Sequence, residues 1–156
     1  MQKQTKPKRD EQEFDPQEPK YIECIHNKTL HISEKDLNNI KILKKYFFFN
    51  MKSDYIYSIS FSKDSKLEYI NAGAFSNLNL YSITFPPSSK ILMTNSLKGC
   101  DFLNQIIFLK NDSDQNFFNF LSDKALANTQ IESIILPEQI KEIGSNCFPK
   151  CLKQIE

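Results

Sequence analysis

Glycine is scarce in this chain, 3 in 156 residues, and tryptophan is absent. With so little glycine there is no Gly-rich loop to cradle a phosphate, and no GxSxG elbow for a serine nucleophile. Charge of one sign is missing too: 20 Lys and Arg face 19 Asp and Glu, for a formal net charge of +1. No global field steers the chain to nucleic acid, an anionic membrane or an acidic substrate. No uninterrupted apolar run is long enough to span a bilayer. The densest stretch, Ile40 to Phe49, is broken by Lys41, Lys44 and Lys45. The opening MQKQTKPKRDEQEFDPQEPK has basic residues with no apolar stretch behind them, unlike a secretory signal. These features predict a soluble chain with no evident export route. Cys24, Cys100, Cys147 and Cys151 lack the spacing of a disulfide-stapled scaffold, and free, mostly buried thiols are expected.

What is present is a repeat. Segments starting at Ile56, Leu80, Leu103 and Ile131 all read apolar-x-x-apolar-x-apolar, and a fifth begins at Leu152. Their last two apolar residues (Ile59 and Phe61, Ile83 and Phe85, Ile106 and Phe108, Ile134 and Leu136) are two apart and share one face of a strand. A second pattern follows, apolar-x-x-apolar-x-x-x-small-apolar. It is carried by Leu67, Ile70, Ala74 and Phe75, and again by Phe118, Leu121, Ala125 and Leu126. Ile140, Ile143, Cys147 and Phe148 repeat it, and Ser89, Leu92, Ser96 and Leu97 give a looser copy. A strand and a turn cannot bury such a face alone, whereas stacked copies share a continuous core. The small residue marks close approach between coils. Phe75, Leu97, Leu126 and Phe148 are expected to fill the interior, and losing Phe75 or Phe148 should cost about 3–5 kcal/mol.

The unit resembles the BspA-like leucine-rich repeat. The fullest copy is Ile131-Glu-Ser-Ile-Ile-Leu-Pro137-Glu-Gln-Ile140-Lys-Glu-Ile143-Gly144-Ser-Asn-Cys147-Phe148-Pro-Lys-Cys151-Leu152. The pattern departs elsewhere: Ser62 and Leu109 stand at the proline place, and Asn71 at the glycine place. The resemblance implies an α/β repeat fold, a leucine-rich-repeat solenoid with short parallel strands on a concave face. It also implies a protein-binding module without cofactors, in a family associated with attachment to host or matrix proteins at the cell surface. The lack of a signal peptide points instead to a cytosolic interaction or regulatory scaffold.

Residues 1–20 are polar and read as a disordered tail. Residues 21–55 read as an N-terminal capping segment or a degenerate repeat, and 56–156 as the repeats proper. Within 21–55, Tyr21–Ile25 and Thr29–Ile32 read as two short strands. After them, either Asp36 caps a short helix carrying Leu37, Ile40 and Leu43, or Leu37-Asn-Asn-Ile40-Lys-Ile42 is an early repeat strand. Tyr46-Phe-Phe-Phe49 supplies apolar cover. At the other end, the incomplete fifth unit predicts an open edge over Ile140, Ile143 and Phe148. A longer parent, a partner or a second copy would cover it.

Site-like features are few. Cys147-x-x-x-Cys151 falls on ladder places held by Ala74 and Leu78 in the first unit, so packing is expected rather than zinc. Asp112-Ser-Asp114-Gln-Asn116 imitates a calcium loop, but Phe117 stands where the sharp turn needs glycine. His26 and His31 have no partner nucleophile. The sequons at Asn27 and Asn111 matter only in a secreted chain. The strand positions that point away from the core are the best binding candidates: Tyr57, Ser60, Tyr81, Thr84, Gln105, Ile107, Glu132 and Ile135, with the tyrosines as anchors. β-propensity alone would also place Tyr, Thr and Ile there.

Overall fold

The structure is a computed structural model that describes residues 25–26, 29–32, 40–48, 57–115 and 117–156, the first two stretches as backbone only. The expected tail, Cys24, Leu37, Phe49, Ile56 and Asn116 lie outside these residues. Every element described is a strand. The first sheet holds β1 (Ile25–His26), β2 (Thr29–Ile32), β4 (Ser58–Phe61), β6 (Ser82–Phe85) and β8 (Gln105–Phe108), in that spatial order. The second holds β3 (Ile42–Leu43), β5 (Tyr69–Ile70), β7 (Ile91–Leu92), β9 (Phe120–Leu121) and β11 (Glu142–Ile143). Finally β10 (Ser133–Ile134) and β12 (Gln154–Ile155) pair with each other. All pairings are parallel except the β1–β2 hairpin.

The chain therefore winds as a β-solenoid, with one strand of each sheet per coil. The expected parallel strands of the four repeats lie at β4, β6, β8 and β10. Register follows the repeat: Leu30 aligns with Ile59, Ile59 with Ile83, and Ile83 with Ile106. Inside, Ile59, Phe61, Ile83 and Phe85 face Leu43, Ile70, Leu92 and Leu121 of the second sheet, all buried. Phe75 lies between these layers, its ring stacked on Phe48 at 5.1 Å and edge-on to Phe61 and Phe85.

The α part of the expected class has no counterpart among the described residues. The small-apolar segment after each second-sheet strand is a run of tight turns. After β5, β7 and β9 its backbone holds two left-handed residues four apart, Gly73 and Asn77, Asn95 and Gly99, Lys124 and Asn128, and after β11 Asn146 is left-handed. Positive φ at that spacing interrupts any right-handed helix, and Gly and Asn tolerate it best. The close approach expected at the small residues is present. The carbonyls of Ala74, Ser96, Ala125 and Cys147 accept the N–H of Phe48, Phe75, Leu97 and Leu126 in the preceding coil, at 2.8 to 3.3 Å. The helix considered over Leu37, Ile40 and Leu43 also gives way, because Ile42–Leu43 is the opening strand of the second sheet.

The first sheet is discontinuous. β4 and β6 pair over three residues only, because Pro86 has no N–H, whereas Leu109 N–H reaches the Phe85 carbonyl at 3.0 Å one coil later. Between β8 and β10 pairing stops, although β9 and β11 remain paired below. Pro137 removes one donor there. The Lys110–Gln115 insertion accounts for the rest, because it leans backward: Lys63 pairs with Asp112 from two coils away, and Phe117 N–H reaches the Pro87 carbonyl at 3.0 Å.

Candidate binding surface

Strand alternation places Ser58, Ser82 and Gln105, and then Ser60, Thr84 and Ile107, on the outer face of the first sheet, with Tyr57 and Tyr81 just ahead of β4 and β6. Tyr57 is half-buried and Tyr81 is 45% exposed, with ring centroids 5.4 Å apart at 79°. Phe102, 51% exposed, stacks on the other side of Tyr81 at 5.7 Å. Three aromatics thus form one outward cluster. The sequence reading missed Phe102, which sits in the turn just before the first apolar place of the third unit. Ser60, Thr84 and Ile107 align across β4, β6 and β8, and Gln105 lies exposed beside Ser82. The Ser58 and Ser82 hydroxyls bond at 2.7 Å. Glu132 and Ile135 are exposed as expected, but not in register with this row, because β8 and β10 do not pair. Glu132 accepts a bond from Lys153 at 2.8 Å. The expected strip is therefore two patches.

The second sheet has an outward row of its own, which the repeat pattern did not bring out. Ile42, Tyr69, Ile91 and Phe120 align across four strands. Beside them Glu68 lies between Lys41 at 3.6 Å and Lys90 at 2.6 Å. The Lys90 bond, more than burial opposes it, holds the Glu68 carboxyl below its usual range and raises the Lys90 ammonium.

The thiols are engaged in the core. Cys100 donates to the Phe75 carbonyl at 3.1 Å, and burial pushes its pKa up to about 12. Burial raises Cys147 as well. Cys151 donates to the Thr129 and Ile131 carbonyls at 3.4 Å. Cys100 and Cys147 are therefore poor nucleophiles near neutral pH. Among the described residues no group of three or more His, Cys, Asp or Glu is placed to hold a metal. The acidic loop is occupied by its own chain: Asp112 pairs with Lys63, Asp114 with Lys110, and the Asn111 side chain accepts the N–H groups of Ser113 and Gln115. No helix among the described residues is long and apolar enough to cross a membrane.

No curated protein and no solved structure matches this chain. The BspA type Leucine rich repeat region does match, in six copies over residues 21–155, starting inside the segment read as cap or degenerate repeat. That span covers most of the sequence and every strand described above. The chain belongs to the BspA-type leucine-rich-repeat family.

Proposed function

We propose that this chain is a non-enzymatic protein-binding module whose principal contact is the outward face of the first sheet, taken as the concave one. The observation that carries this reading is the aromatic cluster of Tyr57, Tyr81 and Phe102. Large rings packed on one another where the chain enters the first-sheet strands are suited to anchoring a partner at little entropic cost. Gln105, Ser60, Thr84 and Ile107 supply polar and apolar contacts around it, and Glu132 and Ile135 form the second patch. The family resemblance supports adhesion to a host or matrix protein at the cell surface; a cytosolic interaction scaffold is the alternative. Labelling intact cells, with permeabilised cells as control, separates the two locations. The binding test presents the full chain to immobilised matrix proteins. A Tyr81→Ala, Phe102→Ala double variant should lose at least about tenfold in affinity. Unchanged binding by that variant would remove this face from the reading.

The exposed Ile143 and Ile155 suit a further apolar contact, with a partner or a second copy of the chain. Light scattering that shows a monomer at all concentrations would rule out the second copy.

A further inference from the structure

The joint between β8 and β10 opens a cleft of about 130 Å³, with Phe108, Ile135, Leu136 and Pro137 as its apolar lining and Asp114 and Glu138 beside them. We propose that this cleft binds an extended peptide segment carrying an apolar side chain flanked by a basic one.

Three observations point to that occupant. The first is the backbone. Gln105 and Leu109 donate to the carbonyls of Tyr81 and Phe85, so the parallel ladder to β6 uses alternate residues of β8. The N–H and C=O groups of Ile106 and Phe108 point the other way, toward β10, which does not pair with them. An extended chain satisfies such an edge, and its side chains then alternate toward and away from the groove. The second is apolar surface. Phe61 and Phe85 are fully buried, but their counterpart Phe108 is only half-buried, and Ile135 is 70% exposed. The third is charge. Lys110 is matched by Asp114 at 3.3 Å, while Glu138 has no ion-pair partner among the described residues. The cleft therefore carries a net negative charge and favours a cationic neighbour for the anchor.

The site goes beyond the aromatic face and is separable from it, because Tyr81 and Phe102 do not line it. The test uses the full chain, ¹⁵N-labelled, and two capped pentapeptides with a central leucine, one flanked by lysines and one by glutamates. The lysine peptide should shift the amides of Ile106, Phe108, Ile135, Leu136 and Glu138 saturably. Ile135→Asp, at an exposed position that leaves the fold intact, should weaken it about tenfold. Glu138→Lys should weaken it about fivefold and should favour the glutamate peptide instead. Methylating the leucine backbone nitrogen should remove binding, while Tyr81→Ala should leave it unchanged. The proposal is overturned if no saturable shifts occur at these amides, or if the glutamate or methylated peptide binds the unaltered chain equally well.

Discussion

Replacing Phe75 with alanine tests the assignment of inside and outside. The ring is fully buried and contacts three others: Phe48, stacked at 5.1 Å, Phe85 at 6.0 Å and Phe61 at 6.2 Å. Truncating a buried Phe costs about 3–5 kcal/mol through lost transfer energy and an unfilled cavity. Each aromatic pair adds about 0.5–1.5 kcal/mol beyond its area. The three pairs place Phe75→Ala near the top of the cavity range, at about 4–5 kcal/mol. For a domain of this size that corresponds to a fall of roughly 10 °C or more in Tm. Phe148 is half-buried in the last coil, so the equal cost expected from the repeat pattern does not hold, and about 2 kcal/mol is expected there. Tyr81→Ala, on the outer face, should cost about 1 kcal/mol or less. Urea titrations followed by circular dichroism would rank the three variants. Equal losses for Phe75→Ala and Tyr81→Ala would refute the assignment of faces.

Gly144→Ala should cost about 2 kcal/mol by the same titration, because an added Cβ would lie 2.6 Å from the Ser122 carbonyl carbon and overlap the Asp123 amide; an unchanged midpoint would show that the coils can separate there freely. Ser96→Ala should instead stabilise by about 1 kcal/mol, since the Ser96 hydroxyl is buried without a hydrogen-bond partner among the described residues; a loss of stability would mean that the hydroxyl is satisfied. Glu68, held below its usual range foremost by Lys90, contributes stability that is present above the ordinary glutamate value and fades as pH falls through the lowered one. Glu68→Gln should therefore narrow its stability deficit against the parent chain on acidification, and a deficit that stays constant with pH would contradict the pairing.

Much of this architecture was legible in the repeat. Positions 59, 61, 83 and 85 were readable as inward because their two-residue spacing is a strand signal. The second sheet was not, because its strands are two residues long and leave no alternation to detect. That is why Ile42–Leu43 fitted a helix or a first-sheet strand equally well, and why the row from Ile42 to Phe120 went unremarked. The α expectation came with the family resemblance. Asn77, Asn95 and Asn128 carried the contrary signal, but Asn in a turn does not declare its sign of φ until its neighbours are placed. The longer third unit was visible, but the direction in which its insertion leans was not. That direction rests on Lys63 and Asp112, 49 residues apart. The binding row was broken for the same reason.

The unequal continuity of the two sheets has a mechanical consequence. The second sheet runs unbroken from β3 to β11, while the first stops at β8 and resumes only as the β10–β12 pair. The last coils are thus held to the rest mainly through the second sheet and the turns, with the Gln130 N–H on the Leu103 carbonyl ahead of the unpaired strands. Strain applied at the C-terminal coil falls on the β9–β11 pairing and on the turn bonds Lys124–Ser145 and Leu126–Cys147 rather than on a ladder between β8 and β10. The amides of β10 and β12 should exchange with deuterium well before those of β4 and β6, as a separate opening unit. The break between β8 and β10 is thus the expected boundary between two opening units.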